Sequence, residues 1–145
     1  MKKQCLRIIA FAIILTLILS MAALAAMTES DYIAATSAWI TRNGNTVKVN
    51  FYIVGTGTMD KIGVKYVYLY ERNGTGWDLV ETFEYTDPDY DDIMIESSTH
   101  AHAGYLPYSG SASKSYYADV RFYAEKNGGS DTIQQYTPTS HGSTP

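Results

Sequence analysis

The stretch GVKYVYLYERNGTGWDLVETFEY, residues 63–85, holds two alternating segments on either side of an Asn-Gly pair. The first segment alternates valine and leucine with three tyrosines, and a period of two predicts a β-strand. Asn73-Gly74 tolerates the positive φ angles that a tight turn between antiparallel strands requires. The stretch therefore predicts a β-hairpin whose strands cover residues 63–71 and 77–85.

Two further Asn-Gly pairs, Asn43-Gly44 and Asn127-Gly128, lie between alternating segments in the same way. The chain also has 13 tyrosines, and aromatic side chains suit the half-buried surface of a sheet. No segment after residue 25 keeps a helical period. The predicted strands are 34–41, 46–54, 63–71, 77–85, 99–106, 115–125 and 130–137. This number and spacing predict an all-β fold, a seven-stranded antiparallel β-sandwich.

The segment SYYADVRFYAEKNGGSDTIQQYTPT, residues 115–139, resembles the last two strands of a fibronectin type III domain. Val120 and Ala124 match inward positions of that family. The buried corner tyrosine of the family would fall at Ala118, but the nearest tyrosine in phase is Tyr116. The resemblance implies an immunoglobulin-like, fibronectin type III-like β-sandwich.

Three segments together resemble a set of small secreted proteins of Gram-positive bacteria. They are TSAWITRNGNTVKVNFYIVGTGTMDKIG (36–63), YVYLYERNGTGW (66–77) and KSYYADVRFYAEKNGG (114–129). This resemblance implies an extracellular location and the same fold, and it implies no activity.

The N-terminus has the three parts of a secretory signal peptide. Three basic residues form a positive head, residues 8–19 are apolar apart from one threonine, and Ala23-Leu24-Ala25 is a small-x-small cleavage pattern. The apolar part is too short to cross a membrane as a helix. The sequence therefore predicts a signal peptide over 1–25, a domain over 26–138 and a disordered tail over 139–145.

Cleavage of the signal peptide changes the composition of the protein. Cys5 is the only cysteine, so the mature chain can form no disulfide. Lys2, Lys3 and Arg7 are lost from the 11 basic residues, which leaves eight against 15 acidic residues and a net charge of −7. An acidic domain repels nucleic acid and anionic lipid. We therefore expect a secreted, extracellular monomer that binds neither nucleic acid nor membrane.

The most acidic run is TDPDYDD, residues 86–92. Asp87, Asp89 and Asp91 fall at the first, third and fifth ligand positions of a calcium loop. Asp92 stands where that loop needs glycine, and a serine stands where it needs its final glutamate. Two interpretations stay open. A solvated loop that keeps a sheet edge soluble is favoured. The other is an irregular calcium site that uses Asp87, Asp89, Asp91 or Asp92 with Glu84 or Glu96.

Two other motifs are weaker signals of chemistry. His100 and His102 would project from the same face of a strand, but zinc or copper needs a third ligand and the mature chain has no cysteine. Ser111 and Lys114 have the S-x-x-K spacing of acyl-transferring serine enzymes, yet no helical pattern places them on one face. Polar surface residues and a chance match are the favoured interpretations, so we expect no enzymatic activity.

Three tyrosines of the opening stretch are the candidate ligand-binding residues. If Val67 and Leu69 face the core, Tyr66, Tyr68 and Tyr70 form an outward stripe with rings about 7 Å apart. Such a stripe can stack sugar rings or meet a flat protein partner. Structural pairing of the rings across strands is the alternative, and it is favoured.

The predicted function is that of a secreted, non-enzymatic binding module that recognises an unidentified protein or glycan through its surface. The alternative is a carbohydrate-binding module with a structural calcium ion at the acidic run. The two tryptophans, Trp39 and Trp77, are expected to be core residues or half-covered anchors.

Overall fold

The computed structural model describes residues 30–142, which form six antiparallel strands and one short helix. In chain order the elements are β1 (Ile33–Asn43), β2 (Thr46–Asn73), β3 (Gly76–Glu84), α1 (Asp91–Met94), β4 (Ile95–Ser109), β5 (Tyr116–Lys126) and β6 (Gly129–Tyr136). The predicted signal peptide lies outside the described residues. Within them, no helix has the length and apolar character needed to cross a membrane. The prediction of an all-β, antiparallel fold is confirmed.

One long strand, β2, organises the sheet. Its 28 residues pair with β1 and β4 near the start and with β3 and β5 near the end, while β6 pairs with β5. We call β1, the start of β2 and β4 the first half-sheet, and β3, the end of β2, β5 and β6 the second half-sheet. The predicted strands 46–54 and 63–71 are therefore two parts of one strand, and the seven predicted segments form six strands.

The sheet curls where β2 changes partners. Its pairing with β4 shifts in register between Val54 and Met59. Gly55 is buried at this point, and a Cβ there would lie only 2.8 Å from the Cγ of Met59. Irregularities of this kind bend a strand, and the two half-sheets share one apolar core. Tyr108 of β4 and Tyr116 of β5 contact each other across it, with ring centroids 6.2 Å apart. This arrangement is consistent with a β-sandwich.

The core residues have the alternation that the sequence predicts. Val47, Val49, Phe51 and Ile53 are fully buried, whereas the residues between them face outward. In the second half-sheet the side chains with no exposed surface also fall at every second position, although Asp119 and Tyr123 on the other face of β5 are nearly buried as well. The fully buried residues include Val67, Leu69, Tyr116, Ala118, Val120, Phe122 and Ala124. Removal of this apolar surface from water is the main stabilising contribution to such a fold.

The three predicted hairpins are present, but two of their turns lie one residue further along the chain. Asn127-Gly128 forms the loop between β5 and β6 with φ angles of 52° and 80°, the type I′ pattern. In the other hairpins the two-residue loops are Gly44-Asn45 and Gly74-Thr75. Only the glycine of each has a positive φ, 57° and 58°, which is the type II′ pattern. The predicted turns at Asn43-Gly44 and Asn73-Gly74 are therefore wrong by one position.

The acidic run contains a helical turn that the sequence did not predict. The amide of Met94 donates to the carbonyl of Tyr90 at 2.9 Å, within the short helix α1. Met94 is fully buried in the core. Burial of this side chain stabilises the turn against the sheet, although four residues are too few to be helical alone.

The C-terminal tail is placed as far as Gly142, where the sequence predicted disorder. The amide of Ser140 donates to the carbonyl of Tyr116 at 2.8 Å, and the amide of Tyr116 donates back at 2.9 Å. The carbonyl of His141 accepts a hydrogen bond from Arg42 at 2.9 Å. These hydrogen bonds link the segment to β5 and to β1 through its backbone, so the polar side chains from which disorder was predicted take no part in them. Residues 143–145 lie outside the described residues.

Candidate functional site

The second half-sheet has an aromatic outer surface. Val67 and Leu69 are fully buried, so the tyrosines that alternate with them in β2 face outward, and all three are partly exposed. The strand register adds aromatic residues from the neighbouring strands on the same face. We call this surface the tyrosine face; its residues are Tyr66, Tyr68, Tyr70, Trp77, Tyr117 and Tyr136.

The rings of the tyrosine face contact one another across the strands. Tyr70 and Tyr117 are stacked, with centroids 4.8 Å apart and planes at 6°. Trp77 meets Tyr117 edge to face at 4.7 Å. Tyr66 and Tyr68 are nearly parallel at 6.1 Å. The same rings therefore pair across the strands and remain partly exposed to solvent.

Polar groups lie among these rings. Arg121 forms two hydrogen bonds with the carboxylate of Asp119, at 3.0 and 3.1 Å, and this bonding raises the pKa of the guanidinium. Gln134 donates to Asp119 at 2.9 Å and to the hydroxyl of Tyr136 at 2.6 Å. Burial raises the pKa of Tyr117, so its hydroxyl is uncharged at neutral pH. The face is thus an ordered, electrically balanced surface of rings, hydroxyls and one ion pair.

Trp39 is not a core residue but a half-covered one, which is one of the two settings that the sequence predicted. Its side chain is 42% exposed on the outer face of the first half-sheet, because Ala38 takes the inward position of β1. Tyr52 and Tyr105 on the neighbouring strands are 42% and 50% exposed. Sequence reasoning missed this second aromatic surface. The one sequence feature that indicated the outer face of this half-sheet was the alternation of Lys48, Asn50 and Tyr52 with apolar residues.

Tyr116 connects the two half-sheets at the start of β5. Its ring is fully buried, and its hydroxyl accepts a hydrogen bond from the amide of Ser111 at 2.7 Å and donates to Glu71 at 2.6 Å. The ammonium of Lys114 lies 3.6 Å from the same carboxylate. Burial, followed by the hydrogen bond to Glu71, raises the pKa of Tyr116 to about 12.

Arg42 fixes the connection between β4 and β5. Its guanidinium donates to the backbone carbonyls of Ser111, Ala112 and Lys114 at 2.7 to 2.8 Å, and its Cζ lies 5.4 Å from the ring centre of Tyr116. No sequence pattern identified Arg42, because these partners are 69 to 72 residues away along the chain.

The S-x-x-K residues do not contact each other through their side chains. The hydroxyl of Ser111 lies 3.0 Å from that of Ser113, whereas the ammonium of Lys114 is directed to Glu71 and to the carbonyl of Arg72 at 3.4 Å. The amine is therefore not placed to activate the hydroxyl as a general base.

Alkaline pH is expected to destabilise the protein through Tyr116. Its pKa is about 12 in the folded state against 10.0 for the ordinary side chain, so its contribution is full below pH 10 and is lost as the pH rises through 12. The loss amounts to roughly 2–3 kcal/mol. Urea unfolding at pH 9 and pH 11.5 measures it. We expect Tyr116→Phe to reduce the dependence and Tyr52→Phe, at an exposed tyrosine, to leave it unchanged; equal slopes in the two variants would contradict this assignment.

Two of the four aspartates of the acidic run use their carboxylates in local turns. Asp87 accepts a hydrogen bond from the amide of Asp89 at 3.0 Å, and Asp91 accepts one from the amide of Asp92 at 2.7 Å. In residues 30–142, no group of three or more His, Cys, Asp or Glu side chains is arranged to hold a metal ion. The Nε2 atom of His102 lies 2.7 Å from the carbonyl of Ile93. The calcium prediction therefore has no set of converging ligands to support it.

Comparison with known proteins adds little to this description. No family model matches the chain, and no curated protein matches it. Among solved structures, the crystal structure of a hypothetical protein from Pyrococcus horikoshii OT3 is similar over 74% of this chain and 91% of that chain. The sequence identity is 18% and the TM-score is 0.33, and a likeness this low carries no inference.

Proposed function

We propose that this protein is a secreted, non-enzymatic recognition module with an immunoglobulin-like β-sandwich fold, and that it binds a protein partner through the tyrosine face. The observation that carries the proposal is the ordered set of aromatic rings on the outer surface of the second half-sheet.

The strand arrangement supports the immunoglobulin-like assignment. If the two parts of β2 are counted separately, the first half-sheet has three strands and the second has four, the numbers found in the seven-stranded domains of this class. The segments β3 to β4 and β4 to β5 cross between the half-sheets. Tyr116 hydrogen-bonds to the backbone of Ser111, five residues earlier, as a corner tyrosine does. This hydrogen bond supports a corner-tyrosine role for Tyr116, two positions before the one that the fibronectin type III resemblance implies.

The secreted location rests on the sequence alone. The N-terminal head, apolar segment and cleavage pattern are those of a signal peptide. A mature chain without cysteine and with a net charge of −7 suits a soluble extracellular domain. The resemblance to secreted proteins of Gram-positive bacteria points the same way.

The chemistry of the tyrosine face favours a protein partner. Tyrosine provides a large, rigid contact area with a polar tip, and its side chain loses little conformational freedom on binding. The stacking of Tyr70 on Tyr117 already restricts these rings, which lowers the entropic cost of association. The same stacking shields ring faces that a sugar would need, and Trp77 covers a further part of Tyr117. Hydroxyl groups and the Arg121–Asp119 pair remain as polar contacts.

Retention of extracellular and surface proteins on the immobilised mature domain tests this proposal. We expect the triple change Tyr66→Ser, Tyr68→Ser and Tyr70→Ser to weaken retention of a specific protein about tenfold or more. A second triple variant, Trp39→Ser, Tyr52→Ser and Tyr105→Ser, removes as many aromatic rings from the other half-sheet and should retain that protein. Unchanged retention by the first variant, with both variants folded, refutes the tyrosine face as the binding site.

The alternative, a carbohydrate-binding module with structural calcium, divides into two parts. Its calcium site lacks a converging ligand set in the described residues. Glycan binding is supported by a different surface, on the first half-sheet, which does not include Tyr66, Tyr68 or Tyr70.

A further inference from the structure

The outer face of the first half-sheet presents three large aromatic side chains on a surface of small residues. Trp39 of β1 pairs with Asn50 of β2, which pairs with Tyr105 of β4, so these three residues form one row across the sheet. Side chains of directly opposite residues share a face of the sheet. In the adjacent row Tyr52 lies between a serine and an alanine. We call Trp39, Tyr52 and Tyr105 the aromatic platform.

The rings of the aromatic platform are available for a ligand. In residues 30–142, none of the three stacks on another aromatic ring, in contrast to the rings of the tyrosine face. Trp39 and Tyr105 are two strand spacings apart, roughly 10 Å, which is about the length of a disaccharide. Between them, the amide nitrogen of Asn50 donates to the hydroxyl of Thr41 at 3.0 Å and to the carbonyl of Lys48 at 3.1 Å, and these bonds orient its side chain.

The charge on this face is low for a protein surface. Across four consecutive rows, from Ala35–Val54–Ala101 to Thr41–Lys48–Pro107, Lys48 is the only charged residue. Its ammonium lies 4.3 Å from the centre of the Tyr105 ring, a cation–π contact. The mature chain as a whole has a net charge of −7. An acidic polymer is therefore repelled by the molecule at long range, and no local cluster of positive charge compensates.

An open groove continues the aromatic platform beyond the edge of the sheet. It has a volume of about 410 Å³ and lies between α1 and β4, where Ile93, Tyr105 and Pro107 line it. Within residues 30–142, β4 pairs with β2 alone, and α1 rather than a strand lies beside its other edge, where Nε2 of His102 is 2.7 Å from the carbonyl of Ile93. A ligand that crosses the strands from Trp39 to Tyr105 can extend into the groove, because Tyr105 borders both surfaces.

We propose that the aromatic platform binds a neutral polysaccharide that lies across the strands, with sugar rings against Trp39 and Tyr105 and hydroxyl groups beside Asn50. Apolar faces of sugar rings pack on exposed aromatic rings, while amide and hydroxyl side chains bond to the sugar hydroxyls. With a single lysine on this face and a net charge of −7 on the mature chain, a neutral glycan is favoured over an acidic one. This site is separate from the tyrosine face and does not depend on a protein partner there.

Affinity electrophoresis of the mature domain tests this site with three soluble polymers: hydroxyethylcellulose, galactomannan and the acidic polygalacturonate. We expect retardation by at least one neutral polymer and none by polygalacturonate. Trp39→Ala and Tyr105→Ala are each expected to weaken the retardation about tenfold. The variant with three serines at positions 66, 68 and 70 should migrate like the unchanged domain and serves as the control.

Three results would overturn the proposal: no retardation by either neutral polymer, retardation that survives both alanine substitutions, and retardation that is lost only in the tyrosine-face variant. A concentration-dependent dimer in sedimentation, abolished by Trp39→Ala, would assign the platform to self-association instead. Since Trp39 and Tyr105 are exposed, both variants should keep the melting temperature of the unchanged domain. Failure of polysaccharide binding leaves the protein-retention result untouched, so the two proposals fail separately.

Discussion

Substitution of Gly63 by alanine is expected to destabilise the protein by about 3–5 kcal/mol, a large part of the 5–15 kcal/mol that stabilises a typical domain. Gly63 lies where β2 passes from β4 to β5, and its φ of 155° is rarely adopted by residues with a side chain. A Cβ there would lie 1.9 Å from the carbonyl oxygen of Met94 and 3.0 Å from the Cα of Ile95. Both contacts are with backbone, so no rotation of a side chain relieves them.

Gly57→Ala is the matched control for this substitution. It lies in the same strand without a positive φ, and a Cβ there has only the flexible end of Lys126 nearby, at 3.5 Å. We expect Gly57→Ala to be neutral or slightly stabilising. Urea unfolding of both variants measures the difference. Equal stabilities would show that β2 does not pass this close to the end of α1.

Substitution of Phe51 by alanine is expected to cost about 3–5 kcal/mol, because it leaves a cavity in a close-packed core. Phe51 is among the largest fully buried side chains, and its ring centre lies 5.6 Å from that of His102. It also fills the space above Gly104, where a Cβ would lie 2.6 Å from the Cζ of Phe51. The loss should appear as a lower urea midpoint with little change in the slope of the transition.

The neighbouring substitution Tyr52→Ala tests whether the loss reflects burial or ring size. Tyr52 follows Phe51 in the same strand but is 42% exposed on the outer face, so we expect a loss of about 1 kcal/mol or less. If Tyr52→Ala costs as much as Phe51→Ala, the inward and outward faces of β2 have been assigned wrongly.

Much of the strand structure could be predicted from the alternation of residue types. In residues 46–54 every second side chain is apolar, so only one orientation of the strand buries all of them. The structure has that orientation. The continuity of β2 could not be predicted, because Gly55-Thr56-Gly57-Thr58 reads as a loop. Contacts at its two ends keep this segment extended: Gly55 pairs with Ile33, the amide of Thr56 donates to the carbonyl of Tyr32 at 3.0 Å, and Met59 pairs with Thr99. These partners come from distant parts of the chain.

The candidate sites show the same division between local and long-range information. The outward phase of Tyr66, Tyr68 and Tyr70 follows from Val67 and Leu69. The stacking of Tyr70 on Tyr117 of β5 depends on strand register, which no local pattern contains. The aromatic platform was missed for a related reason. In the β1 sequence IAATSAWITRN the inward phase mixes Ala38 and Arg42 with the apolar Ile40, so its alternation does not show which face Trp39 occupies.

The most direct test of these assignments is acrylamide quenching of the two tryptophans, each observed alone in a Trp39→Phe or a Trp77→Phe variant. The chain has no other tryptophan. Trp39 lies exposed on the aromatic platform, whereas Trp77 is half-buried between Arg72 and Tyr117 on the tyrosine face. We predict that acrylamide quenches Trp39 more strongly than Trp77. A shielded Trp39, quenched less than Trp77, would place that ring in the core and contradict both outer surfaces described above.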